Sequence, residues 1–460
     1  MSINSIRLQN FKGFKDATLP LKPLTVILGP NSAGKSCFGQ ALVALSKSNE
    51  KKDTLSLAFD EKSSIEFGGY SELVHNECQG EPIFIEIGLG DHKVRLGFGP
   101  GDEKAKIPEL SLIKESTINV LKNYPEATSQ SININEEISR NNIWEWAIST
   151  PIQIDDENKR LNINHIGIVI DSASKISKTA VDLSKIIPTI KQKSELLASI
   201  LRGISYLRPD RTPPRRKTPI LPGSVVIDDF GNGCDWFIHK NRTNKFDCFF
   251  YKEPNTDKEE SKKIITEYRA SAPEKKELIE ALNLWLKILG LTESFDVNLL
   301  DGGKAAQSVA KPIGQSSSRP LTDIGFGVSQ VLPILAKGLT IKKSDWLIVE
   351  QPEAQLHPKP QAGLADFFCS MIECGRNVIV ETHSVELFHR LRLRASMDED
   401  LAKKIGVYFM HQPVDGACCE PVPVPLREES ELDWPEGFLP EGIKSEMEIL
   451  ATRLARMEID

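Results

Sequence analysis

The 460-residue sequence lacks any run close to the roughly 18 consecutive apolar residues that a membrane-spanning helix needs, so we expect no membrane role. Residues 1–10 alternate polar and apolar side chains and lack the apolar stretch of a secretory signal. None of the eight cysteines lies in a CxxC pair or at the spacing of zinc ligands. Together these absences predict a cytoplasmic chain with reduced thiols.

An excess of positive charge is also missing. The chain has 57 Lys and Arg against 64 Asp and Glu, a formal net charge of -7. A contact with nucleic acid would therefore need a local basic patch, for which the Arg- and Pro-rich residues 208–217 are the candidate. A solvated structural loop explains that segment equally well. Long heptad repeats are absent too, which disfavours a coiled-coil bridge.

One segment near the N-terminus has the pattern of a phosphate-binding loop. Gly29, Pro30, Asn31, Ser32, Ala33, Gly34, Lys35 and Ser36 fit G-x-x-x-x-G-K-[ST]. Backbone N–H groups of such a loop surround the phosphates, the lysine reaches the β- and γ-phosphates, and the serine hydroxyl ligates Mg²⁺. An apolar run precedes the loop at residues 24–28, and a helical apolar pattern follows it at residues 38–45. This context predicts that Lys35 and Ser36 bind ATP and Mg²⁺.

A second half-site is predicted far along the chain. The apolar residues 346–349 lead directly into Glu350, Gln351, Pro352 and Glu353. An apolar strand that ends in a carboxylate is typical of a Walker B motif, in which the acid holds Mg²⁺, often through water. We therefore predict Glu350 as a second metal ligand. The alternative is a surface glutamate at the end of a strand.

Two further segments belong with these motifs. Residues 378–380 form another apolar strand that ends just before His383, where an imidazole could polarise the γ-phosphate, although a lone histidine is more often structural. Residues 323–330 form a turn with two glycines before an apolar helix, which predicts either an anion site or a simple capping loop. Residues 302–320, rich in Gly, Ser and Lys, are predicted to be a loop.

The four motifs together resemble the ABC-type ATPase heads of SMC, RecF and OLD-like proteins. The sequence is most similar to bacterial AAA family ATPases that carry a DUF3696 C-terminal region. That similarity rests on residues 67–75, 206–211, 350–353 and 433–438. The resemblance implies an α/β fold, an ABC/SMC-like P-loop NTPase head with a mixed sheet, split by a large inserted helical and β arm.

The resemblance also implies roles and boundaries. Lys35, Ser36 and Glu350 take the nucleotide and metal roles, His383 is the switch histidine, and Ser329 and Gln330 belong to a signature that reaches the ATP of a second subunit. The implied regions are an N-terminal ATPase lobe at 1–110, the inserted arm at 111–320, a C-terminal lobe at 321–425 and a DUF3696-like tail at 426–460.

One position departs from the ABC pattern. Those heads place a catalytic glutamate directly after the Walker B acid, and here that position is Gln351. An amide cannot act as a general base, although it can orient a water. Glu353 or Glu381 is a possible substitute. We therefore expect slow hydrolysis, with ATP acting mainly to hold a dimer together.

Three functions fit these predictions. The first is a dimerising or higher-order ATPase that regulates a separate nuclease or toxin chain, as in anti-phage defence, with DNA as a possible ligand. The second is a DNA-repair or recombination ATPase that acts on DNA ends. The third is a nucleotide-gated scaffold without turnover, for which Gln351 is the main argument. We disfavour a transporter ATPase because the P-loop lies too far from the predicted signature.

Overall fold

The computed structural model describes residues 2–48, 65, 70–76, 83–90, 92–99, 109–110, 147–153, 160–163, 197, 199–220, 226–251, 273–411 and 419–426. Its contacts divide the chain into two units. The first comprises residues 1–21, 36–206 and 344–346, and the second comprises residues 22–35, 207–343 and 347–460. The boundaries predicted at residues 110, 320 and 425 stay a prediction.

The strands are numbered in chain order within the described residues. They are β1 (Ile3–Phe11), β2 (Phe14–Pro20), β3 (Leu24–Leu28), β4 (Ile83–Leu89), β5 (His92–Gly99), β6 (Glu109–Leu110), β7 (Ala147–Gln153), β8 (Arg160–Ile163), β9 (Ile204–Leu207), β10 (Thr218–Pro219), β11 (Lys245–Cys248), β12 (Glu274–Glu277), β13 (Ser294–Leu300), β14 (Ala305–Lys311), β15 (Arg319–Pro320), β16 (Trp346–Glu350), β17 (Asn377–Glu381), β18 (Ile405–His411) and β19 (Glu420–Pro423).

The helices of the described residues are also numbered in chain order. They are α1 (Lys35–Ser48), α2 (Tyr70–Leu73), α3 (Cys234–Asn241), α4 (Leu278–Ile288), α5 (Gly327–Thr340), α6 (Pro358–Glu373), α7 (Val385–Met397) and α8 (Glu399–Lys404). None of the described helices is long and apolar enough to cross a membrane.

The first unit is built on an antiparallel sheet with the strand order β2-β1-β4-β5-β7-β8, to which β6 adds beside β5. Apolar side chains of β1 and β4 are buried at alternate positions, as expected for a sheet covered on one face. Helix α1 packs on this unit, with the rings of Phe14 and Phe38 5.0 Å apart. Residues 70–75, one of the segments that carry the resemblance, lie against the β1–β2 turn, where Val74 bridges Phe11.

The second unit is built on the sheet that contains the predicted motifs, with the order β19-β18-β3-β17-β16-β9. Strand β3 runs parallel to both of its neighbours, β17 and β18, whereas β19 is antiparallel to β18, so the sheet is mixed. Every residue of β3, β16 and β17 is buried, because these Val-, Ile- and Leu-rich strands are covered on both faces. This confirms the predicted α/β class with a mixed sheet.

Helices α4, α5 and α6 contribute to the core of the second unit. The indole of Trp285 in α4 meets the ring of Phe367 in α6 edge-on, with centroids 5.1 Å apart. A β-carbon placed on Gly338 of α5 would lie 2.7 Å from a ring carbon of Phe367, so only glycine lets these two helices approach this closely. Rigid packing of this kind holds the ends of β16 and β17 in place.

The predicted loop over residues 302–320 is wrong in part. Residues Ala305–Lys311 form β14, which pairs with β10, β13 and β15 in a four-stranded sheet. Its small side chains, Ala and Ser among them, carry little of the β-branched signal that predicts a strand. The predicted tail at 427–460, residues 67–69 and most of residues 111–200 lie outside the described residues.

Candidate nucleotide site

The predicted phosphate loop connects the buried end of β3 to the start of α1. Its backbone enters the left-handed region at Gly29, Ser32 and Gly34, with φ angles of 147°, 64° and 82°. A β-carbon on Gly29 would lie 2.9 Å from the carbonyl oxygen of Met410. Glycine is therefore required at Gly29 both by its φ angle and by the close approach of β18. Strand, loop and helix follow one another as the sequence predicts.

Lys35 is buried, and the charges of three carboxylates act on its ammonium. Its ammonium donates a 2.6 Å hydrogen bond to the carbonyl oxygen of Pro30, inside the loop. Burial lowers the pKa of Lys35, and the charges of Glu381, Glu353 and Glu350 oppose that shift. Glu381 ends β17, the neighbour of β3, whereas Glu350 ends and Glu353 follows β16, the next strand of the sheet. The fold thus brings the N-terminal and C-terminal half-sites together.

Glu350 and Gln351 lie where β16 ends. Glu350 is the last residue of the strand and is buried. Gln351 turns the chain with a φ of 44°, a conformation that residues with a β-carbon rarely adopt. Its N–H donates to the carbonyl oxygen of Glu381 at 2.8 Å. Gln351 therefore lies directly after β16, and its correspondence to the glutamate of ABC heads stays a prediction.

Glu353 connects the ends of β16 and β17. One carboxylate oxygen accepts a 2.7 Å hydrogen bond from the hydroxyl of Thr382, and the other accepts a 2.7 Å bond from the N–H of His383. Thr382 is fully buried, and its own N–H donates to the carbonyl oxygen of Ile27 in β3. These contacts tie Glu353 to Thr382 and His383, and its role as a substitute base stays a prediction.

His383 lies exposed at the start of the turn into α7. Local burial and the ammonium of Lys35 lower the pKa of His383, while Glu353 opposes this shift. The lowered pKa favours the neutral ring, in which one nitrogen is an acceptor and the other a donor. Ser384 caps α7 by accepting from the N–H of Leu387 and donates its hydroxyl to Gln361. The charge of Lys35 thus acts on His383, and the role of His383 at the γ-phosphate stays a prediction.

Ser329 and Gln330 are both buried in the first turn of α5. The hydroxyl of Ser329 donates to the carbonyl oxygen of Phe326 at 2.7 Å, and the side-chain amide of Gln330 donates to the carbonyl oxygen of Arg211 at 3.3 Å. The surface here is formed instead by Gly325 and by Phe326, which is 54% exposed. The role of Ser329 and Gln330 in a signature stays a prediction.

Arg211 is a residue of this site that sequence reasoning missed. Only 4% of it is exposed, and its guanidinium donates to the carbonyl oxygens of Arg208, Glu350 and Gln351. Burial lowers the pKa of Arg211 to about 10, against the charges of Glu353 and Asp210, so it stays cationic at pH 7. The only signal in the sequence is its place in residues 206–211.

The basic segment 208–217 is largely engaged within the chain. Arg208 pairs with Asp210 at 2.8 Å and lies over the ring of Phe230. Arg216 pairs with Asp323 at 2.7 Å, and Lys217 pairs with Asp301 at 3.2 Å. These contacts favour a structural role for the segment, and DNA binding by it stays a prediction.

The residues present fit Mg²⁺-ATP. Three carboxylates outnumber the two cations Lys35 and Arg211, so a divalent cation would favour the binding of a polyphosphate here. Among the described residues, no three or more His, Cys, Asp or Glu side chains are grouped to hold a metal alone. Mg²⁺ needs no such cage, since it is usually held by one or two protein ligands together with phosphate oxygens.

A model of the AAA ATPase domain matches residues 1–388. No curated protein matches the chain. Among solved structures, an SMC head bound to the C-terminal winged-helix domain of ScpA is 12% identical, with 93% of this chain and 99% of that chain covered and a TM-score of 0.45.

Two further SMC head structures are similar at the same low level of identity. The head domain from Thermotoga maritima is 11% identical, covering 92% of this chain and 99% of that one, with a TM-score of 0.35. The head with an extended coiled coil, bound to a ScpA domain derived from Pyrococcus furiosus, is 11% identical, covering 92% and 96%, with a TM-score of 0.40.

Proposed function

Because this chain belongs to the AAA ATPase domain family, we propose that it binds Mg²⁺-ATP at residues 29–36, dimerises around the nucleotide and thereby regulates a separate effector chain. The observation that carries the proposal is the position of Lys35 among Glu350, Glu353 and Glu381 at one end of three neighbouring strands. Bound Mg²⁺ would supply charge neutralisation of the phosphates. Ser36 and Glu350 are its proposed ligands.

The chain's own residues have separable roles in this proposal. The loop N–H groups and Lys35 bind the phosphates, and neutral His383 accepts or donates a hydrogen bond at the γ-phosphate. Gln351 orients the attacking water without taking its proton. Glu353 ties Thr382 and His383 to the end of β16 through two hydrogen bonds. We expect hydrolysis to be slow because Gln351, the group proposed beside the attacking water, is an amide and cannot act as a base.

The proposed dimerisation is supported by Gly325, a glycine that no contact within the described part of the chain requires. A β-carbon on Gly325 would meet nothing within 4 Å, so packing inside one chain does not demand glycine there. Its neighbour Phe326 exposes a large apolar ring just before the start of α5. A glycine and an exposed ring at a helix start fit a surface against which a second copy and its nucleotide close.

The test is ATP-dependent association of the purified chain, measured by sedimentation velocity with Mg²⁺ and ATP. We expect a dimer that forms with ATP in the wild type and is lost in Gly325→Ala, with the monomer melting at an unchanged temperature. Phe326→Ala should weaken the dimer, whereas Ile313→Ala, which removes another exposed apolar side chain (49% exposed), should not. A wild-type chain that binds ATP and stays monomeric would contradict the proposal.

A second candidate, a nucleotide-gated scaffold, is favoured by Gln351 itself. In that case ATP binds and dimerises the chain, but no phosphate is released. The anti-phage role rests on the family resemblance, and a DNA-repair role would instead require salt-sensitive DNA binding by the isolated chain. Phosphate release separates the scaffold from the two ATPase functions, and salt-sensitive DNA binding separates those two from each other.

A further inference from the structure

The conformation of Gln351 is held from both sides of the residue. Its φ of 44° lies in a region that non-glycine residues occupy only when their surroundings enforce it. Its N–H donates to Glu381, and its carbonyl oxygen accepts a 2.9 Å bond from Arg211. The direction of the Gln351 side chain therefore depends on where the guanidinium of Arg211 lies.

Arg211 is also tied to the helix that carries the predicted signature. The carbonyl oxygen of Arg211 accepts from the side-chain amide of Gln330, a buried residue in the first turn of α5. Five residues along the chain from Arg211, Arg216 pairs with Asp323 just before the same helix. We therefore expect a displacement of the start of α5 to move Arg211 as well.

We infer that Arg211 is a positioning residue that sets the conformation of Gln351 and couples it to the start of α5 through Gln330. This inference rests on the proposed function and adds a route within one chain. Closure of a partner against α5 would be relayed by Gln330 and Arg211 to the end of β16, where water is oriented. Charge-assisted bonds to carbonyl oxygens are strong enough to enforce such a geometry.

A second buried arginine of the same unit, Arg376, serves as the control for a purely structural role of Arg211. Arg376 is 5% exposed and also donates to three backbone carbonyl oxygens, those of Ile341, Asp247 and Leu339. Its acceptors lie around the C-terminal end of α5 and on β11, away from Gln351. Arg211→Lys and Arg376→Lys therefore remove the same kind of contact, but only Arg211→Lys removes one from the nucleotide end of β16.

The experiment compares wild type, Arg211→Lys, Gln330→Leu and Arg376→Lys as full-length proteins. Hydrogen exchange of the nucleotide-free chain is followed in the peptide that contains Gln351, together with ATP affinity and phosphate release per bound ATP. We expect hydrogen exchange around Gln351 to accelerate about tenfold or more in Arg211→Lys. Without the bond from Arg211 to its carbonyl oxygen, Gln351 more often leaves the conformation in which its N–H bonds to Glu381. Gln330→Leu should accelerate it as well, although Gln330 does not contact Gln351.

The same variants should separate turnover from binding. Phosphate release should fall about tenfold in Arg211→Lys with ATP affinity about unchanged, the pattern of a group that acts on the chemical step. Arg376→Lys should accelerate exchange near Ile341 only and release phosphate as the wild type does. An exchange rate around Gln351 that is the same in Gln330→Leu as in the wild type would overturn the inference. This result can be obtained even if Arg211→Lys fails to fold. Failure of the proposed function would show instead as a wild-type chain that binds no ATP.

Discussion

The carboxylate of Glu353 accepts a 2.7 Å hydrogen bond from the hydroxyl of Thr382. Its second oxygen accepts from the N–H of His383, so a single side chain joins the ends of β16 and β17. These two bonds fix the position of Thr382 and His383 relative to the end of β16. Several consequences can be measured.

The Glu353–Thr382 contact should appear as a coupling energy. In a double-mutant cycle of Glu353→Ala and Thr382→Val, we expect the two changes in unfolding free energy to be non-additive by about 1.5–3 kcal/mol, the range for a hydrogen bond to a charged group. Chemical denaturation of the four proteins gives the value. Additive effects, within about 0.5 kcal/mol, would show that this contact does not form in solution.

Gln351→Glu should change turnover more than affinity. A carboxylate in this position can accept the proton of the attacking water, so phosphate release should rise about tenfold or more while ATP affinity stays nearly the same. Gln355→Glu is the matched control, since it makes the same substitution on the exposed side of the same turn, at another residue with positive φ. An unchanged rate in Gln351→Glu would count against Gln351 facing the water.

A buried ion pair holds the helix that follows His383. Asp366 of α6 bonds Arg394 of α7 at 2.6 Å and Arg390 of α7 at 2.8 Å. Asp366→Asn leaves buried Arg394 without its counter-charge, so we expect a loss of about 3–5 kcal/mol in unfolding free energy. Asp400→Asn, which breaks an exposed pair with Lys403, should cost less than about 1 kcal/mol. Equal losses in the two variants would contradict this account.

The pKa of His383 should respond to Lys35. Local burial and the Lys35 ammonium hold it below the usual histidine value in the wild type, so the ring stays neutral down to a lower pH than an ordinary histidine. In Lys35→Ala the positive neighbour is gone, and the pKa of His383 should rise. NMR titration of labelled histidines, with His383→Gln for assignment, measures both values. A pKa that stays the same in Lys35→Ala would place the two residues too far apart to interact.

The sequence predicts the parts of the site that are local. Residues 24–36 combine a buried run, a glycine loop and an amphipathic helix start, and the structure contains β3, the loop and α1 in that order. Residues 346–350 and 377–381 are short apolar runs that end in Glu, and both are strands beside each other. Such runs predict strands because the pattern that defines them lies within a few residues.

The long-range contacts could not be predicted in the same way. Arg211 binds the carbonyl oxygens of Glu350 and Gln351, which are 139 and 140 residues away, and any residue offers such an acceptor. Charge alone therefore leaves a basic patch and a structural loop equally possible for residues 208–217. The turn before Ser329 and Gln330 predicts either an anion site or a capping loop. Only the packing of α5 determines that both side chains are buried.

The most direct test of the central claim is Mg²⁺-dependent ATP binding by the purified chain, beside Lys35→Ala and with phosphate release recorded in the same samples. We predict that the wild type binds ATP only weakly without Mg²⁺ and tightly with it, and that Lys35→Ala loses this binding while its melting temperature without nucleotide does not fall. Equal ATP affinity in the wild type and in Lys35→Ala, or affinity independent of Mg²⁺, would contradict a nucleotide site at Lys35 and its three carboxylates.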